Sequence, residues 1–396
     1  MRPIYLDYNA TTPIDPAVFR AMHPYLGGVD QVDLGIFGNP SSSHAYGRVA
    51  HEAIDAARSK LAGLIGASPS EIVFTGGGSE ASNHAIKGFV PPKFMGAVRN
   101  QIHVITSAVE HPATLQPCEY LKRLGCSVTV VPVDATGRVD PEMVRRAVTK
   151  ATILITIMHS NNEVGTLQPL REIAAIGREH GVLTHADAAQ SVGKVEVNVN
   201  DLGVDLLTIA GHKLYAPKGV GALFIRNGVK LEPLIHGAGH ECGRRAGTEN
   251  VPYIVALGMA AQIARQSLPA ARDKLKSLRD RLENRLRALL GDGLVLNGHR
   301  ELRLPNTLNV SFPGCIGAEL LAKAPEVAAS TGSACHEGQV KLSPVLAAMG
   351  VPPEIGKGAV RLSVGRFTTE EEVDRAADIL ARAAKLTGFA ATISPK

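Results

Sequence analysis

Four stretches of this 396-residue chain carry residue types that could do chemistry together. In FTGGGSEASNHAIKG, three glycines ending at Gly78 lie between an apolar run and a helical pattern. Backbone N–H groups at such a helix start can bind a phosphate, glycines let it approach closely, and Ser79 adds a hydroxyl. A plain tight turn is the competing reading. In LTHADAAQSVGK, Asp187 ends an apolar strand, where a carboxylate could keep a pyridinium nitrogen protonated and make its ring an electron sink. Gln190 could reach the ring's phenolic oxygen, and an ordinary helix N-cap is the alternative for Asp187. In DLLTIAGHKLYAPKG, Lys213 follows a strand with a single charge. A desolvated amine has a lowered pKa and is free to form a Schiff base; the common alternative is a head group that reaches solvent. In STGSACHEGQVKLSPVL, Cys335 sits among small residues and glycines, in text neither clearly strand nor clearly helix. A loop suits a nucleophile that must swing between substrate and acceptor, and a nearby base such as His336 would raise its thiolate fraction; otherwise it is an inert thiol. The order of the four is more telling than any one of them.

Positioning these residues requires strand ends. Apolar, β-branched runs at 71–75, 102–107, 127–133, 152–158, 181–187, 204–210 and 220–225 alternate with helical patterns, among them 112–124 and 170–180. Such alternation predicts an α/β fold with a mostly parallel seven-stranded sheet, covered on both faces, with ligands at the C-terminal strand ends. After residue 251 the character changes. A helical stretch over 254–290 could break near Pro269, and LPNTLNVSF, AVRLSVG and a charged amphipathic helix from Thr369 follow. We expect a large domain over 15–260 and a smaller α+β domain formed by 1–14 plus 261–396, the latter carrying the cysteine loop, with a mobile tail.

Composition narrows the class. With 45% hydrophobic residues the chain can bury a large core. Scattered charge, net +5, and the absence of Trp argue against a nucleic-acid surface. No apolar run is long enough for a membrane span and no signal segment is evident at the start. Five cysteines without CxxC spacing argue against a disulfide framework. The expected compartment is the cytoplasm, and no metal site is expected.

Together with YLDYNATTP, GNPSS, MHSNNEVGTLQP, RAGTEN and RLSVGRFTTEEE, these stretches resemble, in order and over essentially the whole chain, the NifS/IscS-type cysteine desulfurases. That group lies within the class V, fold-type I pyridoxal-phosphate (PLP) enzymes. The resemblance implies conversion of L-cysteine to L-alanine, with sulfur passing to a persulfide on Cys335 and on to an acceptor, as in iron–sulfur cluster assembly. It implies Lys213 as the lysine that carries PLP, Asp187 as partner of the ring nitrogen, and His111 as the histidine on the ring that shuttles protons. Asn162 and Gln190 correspond to further ring contacts, and Gly78, Ser79 and His212 to the phosphate site. Thr248 corresponds to a threonine reaching the phosphate across a homodimer interface. Arg361 corresponds to the clamp on the substrate carboxylate, with Asn39 assisting. Three positions depart from the pattern: Ala210 stands where many relatives have serine, Ser79 replaces threonine, and Cys242 occupies a frequent arginine position. Selenocysteine lyase, acting on L-selenocysteine, is the close alternative. A class V aminotransferase for another amino acid and a non-catalytic sulfur-carrier platform are more distant ones.

Overall fold

The computed structural model describes residues 2–27, 36–89, 102–332 and 342–390, and of residues 335–336 and 339–340 the backbone. Strand β1 (Ile4–Tyr5) leads in, and seven strands then form the main sheet: β2 (Ile72–Thr75), β3 (His103–Ser107), β4 (Ser127–Val131), β5 (Thr152–Thr156), β6 (Leu183–Asp187), β7 (Leu206–Ala210) and β8 (Gly221–Ile225). Their order is β2-β8-β7-β6-β5-β3-β4, and only β8 runs against the rest. All seven expected strands are present, most of them a residue or two shorter than their apolar runs.

Alternation along each strand divides the side chains between two faces. Phe74, Ile155, Leu207 and Phe224 join one core, which also takes in helices Ala45–Ile65 and Leu170–His180. Val73, Leu154, Leu206 and Leu223 join another, beneath helices Gly78–Lys87 and Pro112–Arg123. Burial on both faces explains why these strands read as continuous apolar runs.

Beyond the sheet, β9 (Val295–Asn297), β10 (Thr307–Ser311) and β14 (Ala359–Ser363) make a three-stranded sheet in the order β14-β10-β9. In chain order between its last two strands come β11 (Val327–Ala328), which pairs in parallel with β1, and a small antiparallel hairpin, β12 (Cys335–His336) with β13 (Gln339–Val340). The N-terminus thus packs with the C-terminal part of the chain. A separate core built on Leu308, Phe312, Leu362 and Leu380 lies here.

One helix, Val251–Leu290, joins the two parts. Its first half, through Ala264, contributes to the core of the main sheet, and its second half, from Leu275, to the C-terminal core. The break considered at Pro269 does not occur. The ring removes one intrahelical hydrogen bond, yet forty residues anchored in apolar cores at both ends keep the helix continuous. The final helix, Glu370–Leu386, starts where the sequence places it, capped reciprocally by Thr369 and Glu372.

Candidate active site

The C-terminal ends of β5, β6 and β7 and the start of the helix after β2 surround a cavity of about 400 Å³. Its wall includes Gly78, Ser79, His111, Asn162, Asp187 and Gln190, and also His212, Lys213 and Arg361. Nine of the residues singled out in the sequence, separated by up to 283 positions, therefore meet in one place. Two do not line it. Thr248 is exposed and outside the cavity, and Asn39 is exposed with its Oδ1 accepting the Ser41 N–H at 2.9 Å. The side chains of Cys335 and His336 lie outside the described residues.

Lys213 closes the short turn Gly211–Lys213 directly after β7. Its Nζ donates to the carbonyls of Asn9 and Ala10, each at 2.6 Å. The N-terminal segment is held there because Thr12 donates to the His212 carbonyl through both its N–H (2.9 Å) and its hydroxyl (3.0 Å). Burial, and then the charge of Arg361, pull the Lys213 amine down to about 8. A substantial neutral fraction is therefore available near neutral pH, as imine formation requires.

Asp187 ends β6, and its Oδ1 accepts the Ala189 N–H at 2.9 Å. It is 7% exposed and makes no ion pair among the described residues. Burial pushes its carboxyl above the usual range. A buried carboxylate without an ion-pair partner is costly; a ligand bearing a protonated ring nitrogen would supply one. His111 N-caps the helix Pro112–Arg123, its Nδ1 accepting the Ala113 N–H at 3.1 Å. Burial lowers its pKa, which favours a neutral ring able to accept a proton.

At the other end of the cavity, Gly77 adopts φ +149° as the N-cap of Gly78–Lys87, which opens the first N–H groups of that helix to the cavity. A side chain at position 78 would bring its Cβ to 3.1 Å from the Ala210 Cβ, so the close approach of strand end and helix favours glycine there. Burial takes the His212 pKa down to about 4, so the ring is neutral at physiological pH and its Nδ1 lies 3.2 Å from the Thr11 hydroxyl. These groups fit a phosphate, a protonated ring nitrogen and an aldehyde at successive points of one ligand. That is the donor set for PLP.

Arg361 extends from β14 on the opposite wall. Its Nη2 donates to Asp7 at 2.8 Å and its Nη1 to the Asn162 carbonyl at 3.0 Å. Ser330 pairs with Arg361 through two backbone hydrogen bonds and donates its hydroxyl to Asp7 at 2.8 Å. Cys335 follows five residues later, a chain length of at most about 18 Å. The text around it left its structure undecided; the backbone forms β12, with Cys335 opposite Val340.

Several residues given no role from sequence prove central. Asn9 receives Lys213 and Gln190 on its carbonyl, and its side-chain oxygen accepts from Lys194 at 3.1 Å and Asn306 at 3.0 Å. Fully buried Lys194 also donates to Gln190 at 2.8 Å, which fixes the direction of that amide. Glu110 accepts the Ser107 hydroxyl (2.6 Å) and the Met158 N–H (2.9 Å), which ties the segment carrying His111 to the end of β5; burial raises its carboxyl to about 8. Only the motif context of YLDYNATTP, of Glu110–Pro112 and of SVGK pointed to any of these. At the departing position, Cys242 is exposed with φ +56°, beside a buried Glu241 that pairs with Arg58 at 2.8 Å. No disulfide occurs among the described residues.

A lysine amine, an unpaired buried carboxylate and a glycine-lined helix start, all at the C-terminal edge of such a sheet, define the class of fold-type I PLP enzymes. The Aminotransferase class-V profile matches residues 4–376. A cysteine desulfurase IscS from Dictyoglomus turgidum is 45% identical over 383 residues, covering 96% of this chain and 94% of that protein. A solved NifS-like protein superposes with a TM-score of 0.88 at 37% identity, covering 98% of this chain and 100% of the other. The structure of SspA in complex with cysteine matches with a TM-score of 0.79 at 36% identity, covering 92% and 99%. The chain belongs to the class-V aminotransferase family, whose members bind pyridoxal phosphate.

Proposed function

We infer that the chain is a PLP-dependent cysteine desulfurase that moves the sulfur of L-cysteine onto Cys335 and releases L-alanine. The observation that carries this reading is the convergence of Lys213, the unpaired Asp187 carboxylate and the Arg361 guanidinium on one cavity. The IscS relatives and the cysteine-bound SspA structure support the choice of substrate.

When bound, pyridoxal phosphate takes up the electron pair released at the substrate Cα. Asp187 supplies the negative charge that keeps the ring nitrogen protonated. Arg361 holds the substrate carboxylate with its planar fork, while Asp7 and the Asn162 carbonyl hold that fork in place. Lys213, once released from the coenzyme, takes the Cα proton, and His111 moves protons at the reacting atoms. The Cys335 thiolate attacks the substrate sulfur. The carbon–sulfur bond breaks, a sulfur–sulfur bond forms, and the carbon keeps the electron pair and gains a proton. One sulfur atom has moved, and no outside oxidant is needed.

This reading assigns coenzyme binding to residues 15–260 and the cysteine segment to 1–14 plus 261–396; the two cores bridged by one helix support that division. The reading takes from the resemblance a homodimer in which Thr248 reaches the phosphate of a second copy; its exposure away from the cavity wall supports this. A sulfur-acceptor protein and a cytoplasmic setting complete the reading. Among the described residues, no helix is long and apolar enough to cross a membrane.

Replacing Cys335 with serine tests it. The variant should keep the visible absorbance of bound coenzyme, release no sulfide, and show no added sulfur by mass spectrometry after exposure to cysteine. Full desulfuration by Cys335→Ser would overturn the assignment.

A further inference from the structure

A short turn after β5 ties together three parts of the site. Asn161 Oδ1 accepts the N–H groups of Glu163 (2.8 Å) and Val164 (2.9 Å), and its Nδ2 donates to the Val109 carbonyl at 2.9 Å. This fixes Asn162 on the cavity wall and turns its neighbour Glu163 toward the C-terminal part of the chain. The Glu163 carbonyl accepts from Asn309 at 3.2 Å, and Asn309 lies opposite Arg361 in the three-stranded sheet.

The Glu163 side chain is 5% exposed and touches both flanks of the segment that holds Cys335. On the C-terminal flank its Oε2 accepts the Ser343 hydroxyl at 2.6 Å. The same hydroxyl N-caps the helix Pro344–Ala348, accepting the Val345 N–H at 3.1 Å. On the N-terminal flank the carboxyl occupies the space where Gly332 lacks a side chain. A Cβ there would fall 1.9 Å from Oε1 and 2.2 Å from Cδ. Oε1 itself is buried and has no hydrogen-bond partner among the described residues. Cys335 lies three residues past Gly332 and eight before Ser343.

We propose that Glu163 is the positioning residue of the persulfide-forming cysteine, clasping both flanks of the Cys335 segment and setting its place relative to Arg361 and the coenzyme cavity. The proposal rests on the assignment of Cys335 as sulfur acceptor and deepens it. It explains two features of the sequence text: the glycine of TGSAC leaves room for the carboxyl, and the serine before PVL supplies its hydrogen bond. Burial raises the Glu163 carboxyl from its usual range, while the Ser343 hydroxyl and the Arg361 charge oppose that rise. An amide of the same shape can accept the same Ser343 hydroxyl and fill the same space, and should serve nearly as well.

The holoenzyme tests this with Glu163→Ala, Glu163→Gln, Gly332→Ala and the double variant of Glu163→Ala with Gly332→Ala. In Glu163→Ala, sulfur transfer to Cys335 in a single turnover should slow between about ten- and a hundredfold, as expected for a misplaced reacting group. The coenzyme spectrum and the concentration of cysteine giving half the spectral response should stay unchanged. Glu163→Gln should recover most of the rate. Gly332→Ala should be slow in the wild-type background, and the extra methyl should cost markedly less once Glu163 is alanine, because the space is then free. A wild-type rate in Glu163→Ala, or additive effects in the double variant, overturns the proposal. The parent reading fails separately, if Cys335→Ser still accepts sulfur.

Discussion

On one side of the cavity, Asp187 and Lys213 follow directly from β6 and β7, two central strands buried on both faces. On the other side, Arg361 belongs to the outer strand β14 of a three-stranded sheet with its own core, and the Cys335 segment begins beside it. The first wall carries every group suited to holding a coenzyme. On the proposed reading, the second carries the guanidinium for a substrate carboxylate and leads to the thiol. Polar contacts join the two walls, among them Arg361 with the Asn162 carbonyl and Asn9 with Lys213 and Lys194. On that reading, coenzyme binding and substrate handling fall to separately packed parts of the chain, so variants on the two walls should fail in different ways.

The largest effect is expected on the coenzyme wall. Lys213→Ala should lose the visible absorbance that depends on the lysine–coenzyme bond, and alanine formation should fall by more than about a thousandfold. If this variant kept its absorbance and its turnover, the division of labour would be wrong. Arg361→Lys probes the opposite wall. It should leave the absorbance intact and raise the KM for cysteine about ten- to a hundredfold, since a point charge cannot reproduce a bidentate clamp. Loss of coenzyme from that variant would show that the walls are not independent.

A smaller effect sharpens the contrast through pH. The Lys213 amine, lowered to about 8 mainly by burial, must be neutral to attack the coenzyme aldehyde. As pH falls below that value the neutral fraction drops, by about tenfold per unit well below it. The rate at which apoprotein takes up pyridoxal phosphate should therefore rise with pH and level off above about 8, as followed by absorbance in a rapid-mixing experiment. A flat profile would mean that the amine is not the group that limits capture.

Much of the coenzyme wall was legible beforehand because its signals are local. Asp187 ends an apolar run, Lys213 follows one, and the glycines before Ser79 sit between a strand and a helix. The second wall was legible mainly through motif resemblance, since nothing in RLSVGR says where a guanidinium points. Asn9, Lys194 and Glu110 carried no local sign of their roles. Asn9 is one polar residue in an irregular segment, and its partners lie up to 354 positions away. Pro269 misled in the other direction. Local propensity argues for a break, but anchoring of both helix halves in apolar cores outweighs the lost hydrogen bond.

Period and composition by themselves determined the seven strands, their two-sided burial and the strand-end positions of the acid and the amine, because side-chain alternation and hydrophobic burial act over a few residues. Only the tertiary structure decided that the N-terminal segment receives Lys213, that Asp7 and Asn162 hold Arg361, and that Glu163 fills the space left at Gly332. Those contacts join residues 169 to 354 positions apart. Their existence depends on how separately packed layers come to rest against one another, and no local pattern in a chain encodes that.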